Sequence, residues 1–371
     1  MGRPSSIGPF TNRPNASAGD RDPALVGVAI VSWNVRPLLL RALASVTASS
    51  VPTRVVVVDN ASVDGSAEAV RAAFPGVVVV ANADNPGFAV GNNQALRALG
   101  VLGGDVDAGV RHADSRPPAP AALPPPYVLL LNPDAELRPG ALEALVAYLE
   151  AHPGVGALGP LLRYPDGSVQ SSRRRFPGLA ALLTEATPIE WRWPDHPIAR
   201  RMRMDDVPPD HPQAVAWLNG AAVLLRIEAL AAVGGFDEGF FMYSEELDLC
   251  RRLRGAGWAI HFVPGAEVIH HEGRSSEQVV AARHARFVRS RVRYVAKHHG
   301  RAAATLVDAA IRAQFAVELA LEAAKWALGH RRALRAERVR AYWGVVRGRR
   351  AELAGSDDGA SSAGQRREQV P

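Results

Sequence analysis

The chain has 371 residues, 47% of them hydrophobic and 22% charged, which suits one large globular domain or two moderate ones. Its one cysteine, Cys250, excludes an intramolecular disulfide, points to a reducing compartment and reads as a core thiol. The formal net charge of +6 admits nucleic acid, an anionic membrane or an anionic substrate as partner, and its placement discriminates among them: arginines crowd residues 283–350 while the first half is nearly balanced.

Residues 1–23 are rich in Pro, Gly, Ser and Asn, lack the apolar stretch of a secretory signal and are expected to be a disordered tail. Next, "LVGVAIVSWN" reads as a strand ending near Ser32, "RPLLLRALASVTAS" as a helix and "TRVVVVDNAS" as a second strand. "DGSAEAVRAAF" is a helix opened by Asp64, "GVVVVAN" a third strand, and "NPGFAVGNNQALRALG" a glycine-punctuated turn and helix. Unbroken valine runs imply strands covered on both faces, as in a parallel sheet flanked by helices. Residues 101–126 have no usable period and are expected to form a flexible insertion before "YVLLLNPDAEL" resumes the sheet.

After the helix "PGALEALVAYLEAHP" come short strands around a Pro-Asp-Gly turn, then an unassigned stretch, 177–213, rich in Trp, Pro, Arg and Met. Residues 214–276 read as strand, helix, aromatic loop, helix, strand and His-rich loop; from 277 to 355 the pattern is helical and basic, and 356–371 is a second disordered tail. The longest apolar candidate, "AATLVDAAIRAQFAVELALEAAKWAL", is interrupted by Asp308, Arg312, Glu318, Glu322 and Lys325, so it is not a spanning helix.

Four polar clusters fall at strand ends or in the loops after them. Asp59 closes the second strand, where it either caps a turn or accepts from a pyrimidine imide or a ribose hydroxyl. Gly87 and Gly91 permit close backbone approach, and Asn92 and Asn93 lie near a helix start that could meet a diphosphate. Asp134 follows the buried run "LLLNPD", as a turn residue or as the ligand of a hard divalent cation; Glu136 is either a supporting acid or surface. In "FFMYSEELDLCRR", Glu245 and Asp248 share one helix face while Glu246 points elsewhere, and acids beside aromatic residues are candidates for general bases. Of His270 and His271, one at most can face the site of Asp134, because neighbouring strand residues point to opposite faces.

In this order, "VSWN", "VVVVDNASVDGS", "NPGFAVGNNQAL", "LLLNPDAEL", "GGFDEGFFMYSEELDLCRR" and "HHEGRSS" resemble family-2 inverting glycosyltransferases, specifically the rhamnosyltransferase-like branch that builds bacterial cell-surface polysaccharide. The resemblance covers about residues 25–300 and implies a GT-A domain over 24–276: a three-layer α/β/α fold with a mostly parallel central sheet, followed by a helical extension. It implies nucleoside contacts from Ser32, Trp33, Asn34 and Asp59, and a place near the diphosphate for Asn93. Asp134 matches the last acid of the family's Asp-x-Asp element, with Asn132 where an acid often stands, and His270 matches a later metal- or diphosphate-contacting histidine. Glu246 matches the base, with Glu245 and Asp248 as supporting acids; Trp217, Gly220 and Tyr243 fall on the acceptor side.

The resemblance further implies a divalent cation (Mg or Mn), a nucleotide-diphospho-sugar donor, with deoxythymidine-linked rhamnose ahead of a uridine-linked sugar, and a glycan or lipid-linked acceptor, all on the cytoplasmic side. A non-catalytic relative that binds a nucleotide sugar or a glycan is the alternative. The Arg-rich helices lack a nucleic-acid reading motif. They read either as peripheral contacts with the inner face of the plasma membrane or as a cap on the catalytic domain.

Overall fold

The computed structural model describes residues 26–104, 124–184, 192–272, 280–329 and 331–347. Both expected tails, most of the expected 101–126 insertion and the Gly273–Ser276 motif lie outside them. The chain divides into two compact units, one drawn from the ranges 1–182 and 195–275, the other from 183–194 and 276–371. Of the described residues, 183–184 and 192–194 group with the C-terminal helices. Arg192 ion-pairs with Glu318 at 2.5 Å, and Gln314 donates to the Leu183 carbonyl at 3.3 Å.

The first unit is a helix-flanked mixed sheet. Strands β1 (Val26–Ser32), β2 (Thr53–Asp59) and β3 (Val78–Ala81) alternate with α1 (Arg36–Thr47), α2 (Ser66–Ala73) and α3 (Phe88–Ala98). All seven residues of β1 are buried, as an apolar run without alternation requires when helices cover both faces. On α1, Leu39, Ala42, Leu43 and Val46 recur at helical spacing and are buried; each such Leu or Val contributes about 2 kcal/mol of transfer free energy.

The chain continues through β4 (Tyr127–Leu131), β5 (Ala135–Leu137), α4 (Ala141–Ala151), β6 (Val155–Arg163), β7 (Val169–Gln170) and β8 (Arg173–Arg174). Helices α5 (Leu179–Thr184) and α6 (Pro197–Met202) follow, then β9 (Gln213–Ala214), β10 (Trp217–Leu218), β11 (Ala222–Arg226), α7 (Ile227–Val233), α8 (Glu245–Gly255) and β12 (Ala259–His270). The main path of the large sheet runs β3-β2-β1-β4-β11-β6-β12-β5. Strands β3, β2, β1 and β4 are mutually parallel; β11 enters antiparallel between β4 and β6.

One irregularity positions the site. In β12 the register against β6 breaks between Val263 and Glu267, around Pro264 and Gly265, and such bulges bend a strand. The C-terminal part of β12 then pairs antiparallel with β5, setting His270 opposite Ala135.

The second unit contains α9 (Val280–His299), α10 (Arg301–Ala327) and α11 (Arg332–Arg347). Val307, Ile311 and Phe315 of α10 are buried against Tyr342 and Val345, with the Phe315 and Tyr342 rings edge-on at 5.4 Å. Among the described residues no helix is long and apolar enough to cross a membrane.

Candidate active site

Strand β4 ends at Leu131 because Pro133 cannot donate to a ladder, and the Ala135 N–H closes the turn onto the Asn132 carbonyl at 3.1 Å. The turn carries Asp134, which is 6% exposed, to His270, which is 5% exposed; Asp134 Oδ1 and His270 Nε2 are 3.3 Å apart. The backbone N–H of His271 donates to the Asp134 carbonyl at 2.9 Å and locks the two segments together. As the alternation of a strand requires, His271 faces elsewhere: its Nε2 lies 2.7 Å from Glu136, which also pairs with Arg41 at 2.5 Å. Glu136 is therefore engaged with α1 and His271 on the other side of the strand.

Gln170, buried on β7, sets the chemistry of His270. Its Nε2 donates to Glu272 at 2.8 Å, so its oxygen faces His270 Nδ1 at 2.9 Å and must accept the Nδ1 proton. A neutral His270 then turns its Nε2 lone pair toward the Asp134 carboxylate. The two acceptors, 3.3 Å apart, are placed to share a cation. Carboxylate plus imidazole, with Asn132 Nδ2 3.4 Å from His270, is a two-ligand set compatible with a divalent ion. No cluster of three or more His, Cys, Asp or Glu side chains with metal-binding geometry occurs among the described residues. An ion held here would draw its remaining ligands from substrate phosphates and water, as magnesium sites commonly do.

Helix α8 supplies the acids. It is preceded by Tyr243 (φ 70°) and Ser244 (φ 65°), two successive non-glycine residues in the left-handed region, each costing about 1 kcal/mol or more. The loop before them rests on Gly87: the Phe88 N–H donates to the Phe241 carbonyl at 2.7 Å, and a Cβ on Gly87 (φ +100°) would lie 2.5 Å from that oxygen. A Cβ on Gly91 would lie 2.8 Å from Val31 Cγ1. The close approach permitted by both glycines is thus to the protein's own chain.

The three acids of α8 occupy different environments. Asp248 is fully buried and accepts from Arg252 Nε at 2.7 Å, while Arg252 Nη1 donates to the Val233 carbonyl at 2.8 Å. Through Arg252 it helps fasten α8 to the end of α7. Glu245 is buried with its Oε2 unbonded; burial first, and the neighbouring Glu246 charge second, hold its pKa well above the usual carboxylate value. Glu246 is half-buried against Gly220, where a Cβ would stand 3.7 Å from the Glu246 Cβ and Cγ. The adjacent Ala221 carbonyl accepts from the Asn132 N–H at 2.9 Å, so one short turn touches both the Glu246 helix and the segment leading to Asp134.

Trp217 is buried, its indole N–H donating to the Arg175 carbonyl at 2.9 Å. This fixes one wall beside Gly220, whereas Tyr243 remains partly exposed. Cys250 is a buried thiol with its pKa pushed up to about 12, chiefly by burial.

Two strands away, Ser32 and Asp59 are register partners at the ends of β1 and β2. Both are buried, and Ser32 Oγ and Asp59 Oδ1 have no hydrogen-bond partner, although Asp59 Oδ2 accepts from the Ser62 N–H at 3.1 Å. Burial raises the Asp59 pKa, and hydrogen bonds from Ser62 partly offset it. Buried polar atoms without partners are uncommon, and these two could accept from a ligand. Asn34 (φ 53°) accepts from the Val63 N–H at 2.8 Å and joins the loops after β1 and β2, with Trp33 partly exposed beside it.

Asn93, expected near the diphosphate, is engaged here with the loop after α7. Its Nδ2 donates to the Phe236 carbonyl and to Glu238, each at 2.9 Å, and its Oδ1 accepts from the Phe236 N–H at 2.9 Å. The amide clips α3 to the loop between α7 and α8. Gln170 carried no signal in the sequence, since a lone glutamine on a two-residue strand has no period to mark it, and of the Asn219–Ala221 turn only Gly220 was singled out.

The described site therefore gathers two orphaned acceptors, an Asp/His pair and a half-buried glutamate near the carboxyl ends of β1, β2 and β4, where open α/β sheets bind ligands. Residues 23–290 match the model of the family described as glycosyltransferase like family 2, and the chain belongs to that family. It is a glycosyltransferase with the GT-A fold. It is 36% identical over 273 residues to the N-acetylglucosaminyl-diphospho-decaprenol L-rhamnosyltransferase of Mycobacterium tuberculosis, covering 73% of this chain and 84% of that one. It is 27% identical over 175 residues to rhamnosyltransferase WbbL of Escherichia coli K12, covering 46% of this chain and 62% of the relative. Among solved structures it is similar to a mannosyltransferase of Pyrobaculum calidifontis, with a TM-score of 0.47 and 18% identity over 92% of this chain and 90% of that one.

Proposed function

We propose that this glycosyltransferase moves rhamnose from a deoxythymidine diphosphate donor to a lipid-linked glycan on the cytoplasmic side, with inversion at the anomeric carbon. The observation that carries the reading is the turn Asn219–Ala221, which touches Glu246 through Gly220 and the Asn132–Asp134 segment through Ala221. This contact supports a reading in which donor and acceptor groups share one end of the sheet. The relatives' names supply the sugar and the lipid-linked acceptor.

Asp59 and Ser32 would take the nucleoside, offering acceptors to the base imide and sugar hydroxyls. Asp134 and His270 would hold a divalent cation with the donor diphosphate, Gln170 keeping the imidazole in the Nδ1–H tautomer. When bound, that ion supplies Lewis-acid stabilisation of the charge on the departing diphosphate. Glu246 takes the proton of the acceptor hydroxyl as its oxygen attacks the anomeric carbon opposite the leaving group. One displacement inverts configuration and needs no covalent sugar intermediate, so a single base suffices. Trp217, Gly220 and Tyr243 would border the acceptor.

The test is nucleoside diphosphate release from a panel of nucleotide sugars with Mg or Mn, with and without a membrane lipid extract. We expect extract-stimulated, metal-dependent release from deoxythymidine diphosphate rhamnose. Glu246→Gln should lower turnover by about 10²- to 10⁴-fold, the usual contribution of a general base, while donor binding by calorimetry persists. Release from another donor alone would overturn the sugar; undiminished turnover by Glu246→Gln would overturn the base.

A further inference from the structure

Helix α10 carries apolar residues on two faces. Ala304, Val307, Ile311 and Phe315 are buried in the second unit, which is what an amphipathic helix needs. On the outer side, Leu306, Ala309, Ala313, Val317, Leu321 and Leu328 recur at helical spacing and are all exposed, Val317 at 61% and Leu328 at 85%. Between residues 302 and 324 no charged side chain of α10 reaches the exposed class. Its acids are all paired: Asp308 with Arg312 at 2.8 Å, and the buried Glu318 with Arg192 at 2.5 Å and Glu322 with Arg335 at 2.6 Å and Lys325 at 3.1 Å. A helix that is apolar on opposite faces needs a covering on both, and these internal ion pairs are incompatible with crossing a bilayer.

The exposed charge of this unit is nearly all of one sign: Arg289, Arg293, Lys297, Arg332, Arg338 and Arg340 are exposed, against one exposed acid, Glu337, among its described residues. Trp326 and Trp343 are about half exposed beside arginines, with Arg332 6.0 Å and Arg347 4.3 Å from the ring centroids. A second copy is the weaker occupant: a stripe of roughly 22 residues is about 33 Å long and roughly 10 Å wide, well under the ~800 Å² per partner of a stable interface. Two such basic surfaces would also repel. A bilayer needs no matching shape, and its phosphates complement the arginines.

We infer that the outer face of α10, with the basic residues around it, is a docking surface for an anionic lipid bilayer, with the helix lying in the plane of the interface. The inference is independent of which sugar is transferred. It is tested by co-sedimentation of the full-length protein with phosphatidylcholine vesicles, with and without phosphatidylglycerol, at low and high salt. Binding should require the anionic lipid and weaken with salt. The double variant Val317→Glu, Leu321→Glu, altered only at exposed positions, should bind about tenfold more weakly. Arg338→Gln with Arg340→Gln should lose about tenfold on anionic vesicles and show less salt dependence. Circular dichroism melts matching the parent chain would show both variants folded. Three results would each overturn the inference: a protein that stays in the supernatant with anionic vesicles, a Val317/Leu321 variant that binds as well as its parent, or self-association abolished by that variant without vesicle binding.

Discussion

Glu245 and Glu246 are sequence neighbours in opposite circumstances. Glu245 is sealed in the core with an elevated pKa, while Glu246 reaches toward Gly220. Because the raised pKa belongs to the folded state, Glu245 keeps a proton there that the unfolded chain releases above 4.5. Stability therefore falls as pH rises from that value through the folded-state pKa. Glu245→Gln should flatten this part of the pH–stability curve, read from urea midpoints, and leave turnover near that of the parent, in contrast to Glu246→Gln. Asp59 provides a second residue-level test. Its raised pKa means that the carboxylate forms only above the ordinary value of 3.8, so nucleoside diphosphate binding should weaken as pH falls through the raised pKa. Asp59→Asn should remove that pH dependence and lower affinity about tenfold or more, the worth of a hydrogen bond to a charged acceptor; calorimetry across pH reads both.

At the scale of elements, two short connections hold the reaction centre. The Gly87 turn supports the strained Tyr243–Ser244 entry to α8 through the Phe241 carbonyl. Gly87→Ala would meet both a left-handed φ and a 2.5 Å clash with backbone, and should cost about 3 kcal/mol in a denaturant titration. The two-residue strand β7 matters through Gln170 alone. Gln170→Leu removes the acceptor for the His270 Nδ1 proton and should weaken Mn binding about 10- to 100-fold, measurable by the paramagnetic resonance of free Mn. Neither connection was legible beforehand. "NPGF" announces a turn, but the backbone it approaches is 153 positions downstream, and Gln170 acquires meaning only when β7 pairs with β6 beside the end of β12.

For the whole molecule, the site depends on ligands completing one another. On the proposed reading Asp134 and His270 supply two protein ligands, so Mn alone should stabilise the fold weakly, and Mn with a nucleoside diphosphate strongly. At a hundredfold excess over Kd the pair should add about 2.7 kcal/mol, several degrees in Tm by differential scanning calorimetry. His270→Ala should abolish the joint effect and leave the nucleotide contribution from the Ser32 and Asp59 end.

Local pattern determined a great deal here. Valine runs set β1, β2 and β3, helical spacing set α1 through α4, and strand ends marked Asp59, Asp134 and His270 as candidates, because periodicity and turn chemistry act over a few residues. The division of labour among polar residues was decided only by tertiary packing. Asn93 and Asp248 became fasteners, Gln170 became the partner of His270, and Glu245 became a buried acid with a raised pKa, because a side chain's role depends on which distant segment lies against it. The bend of β12 across Val263–Glu267 is the clearest case: Pro264 and Gly265 signal an interruption, but only the completed sheet shows that it delivers His270 to Asp134.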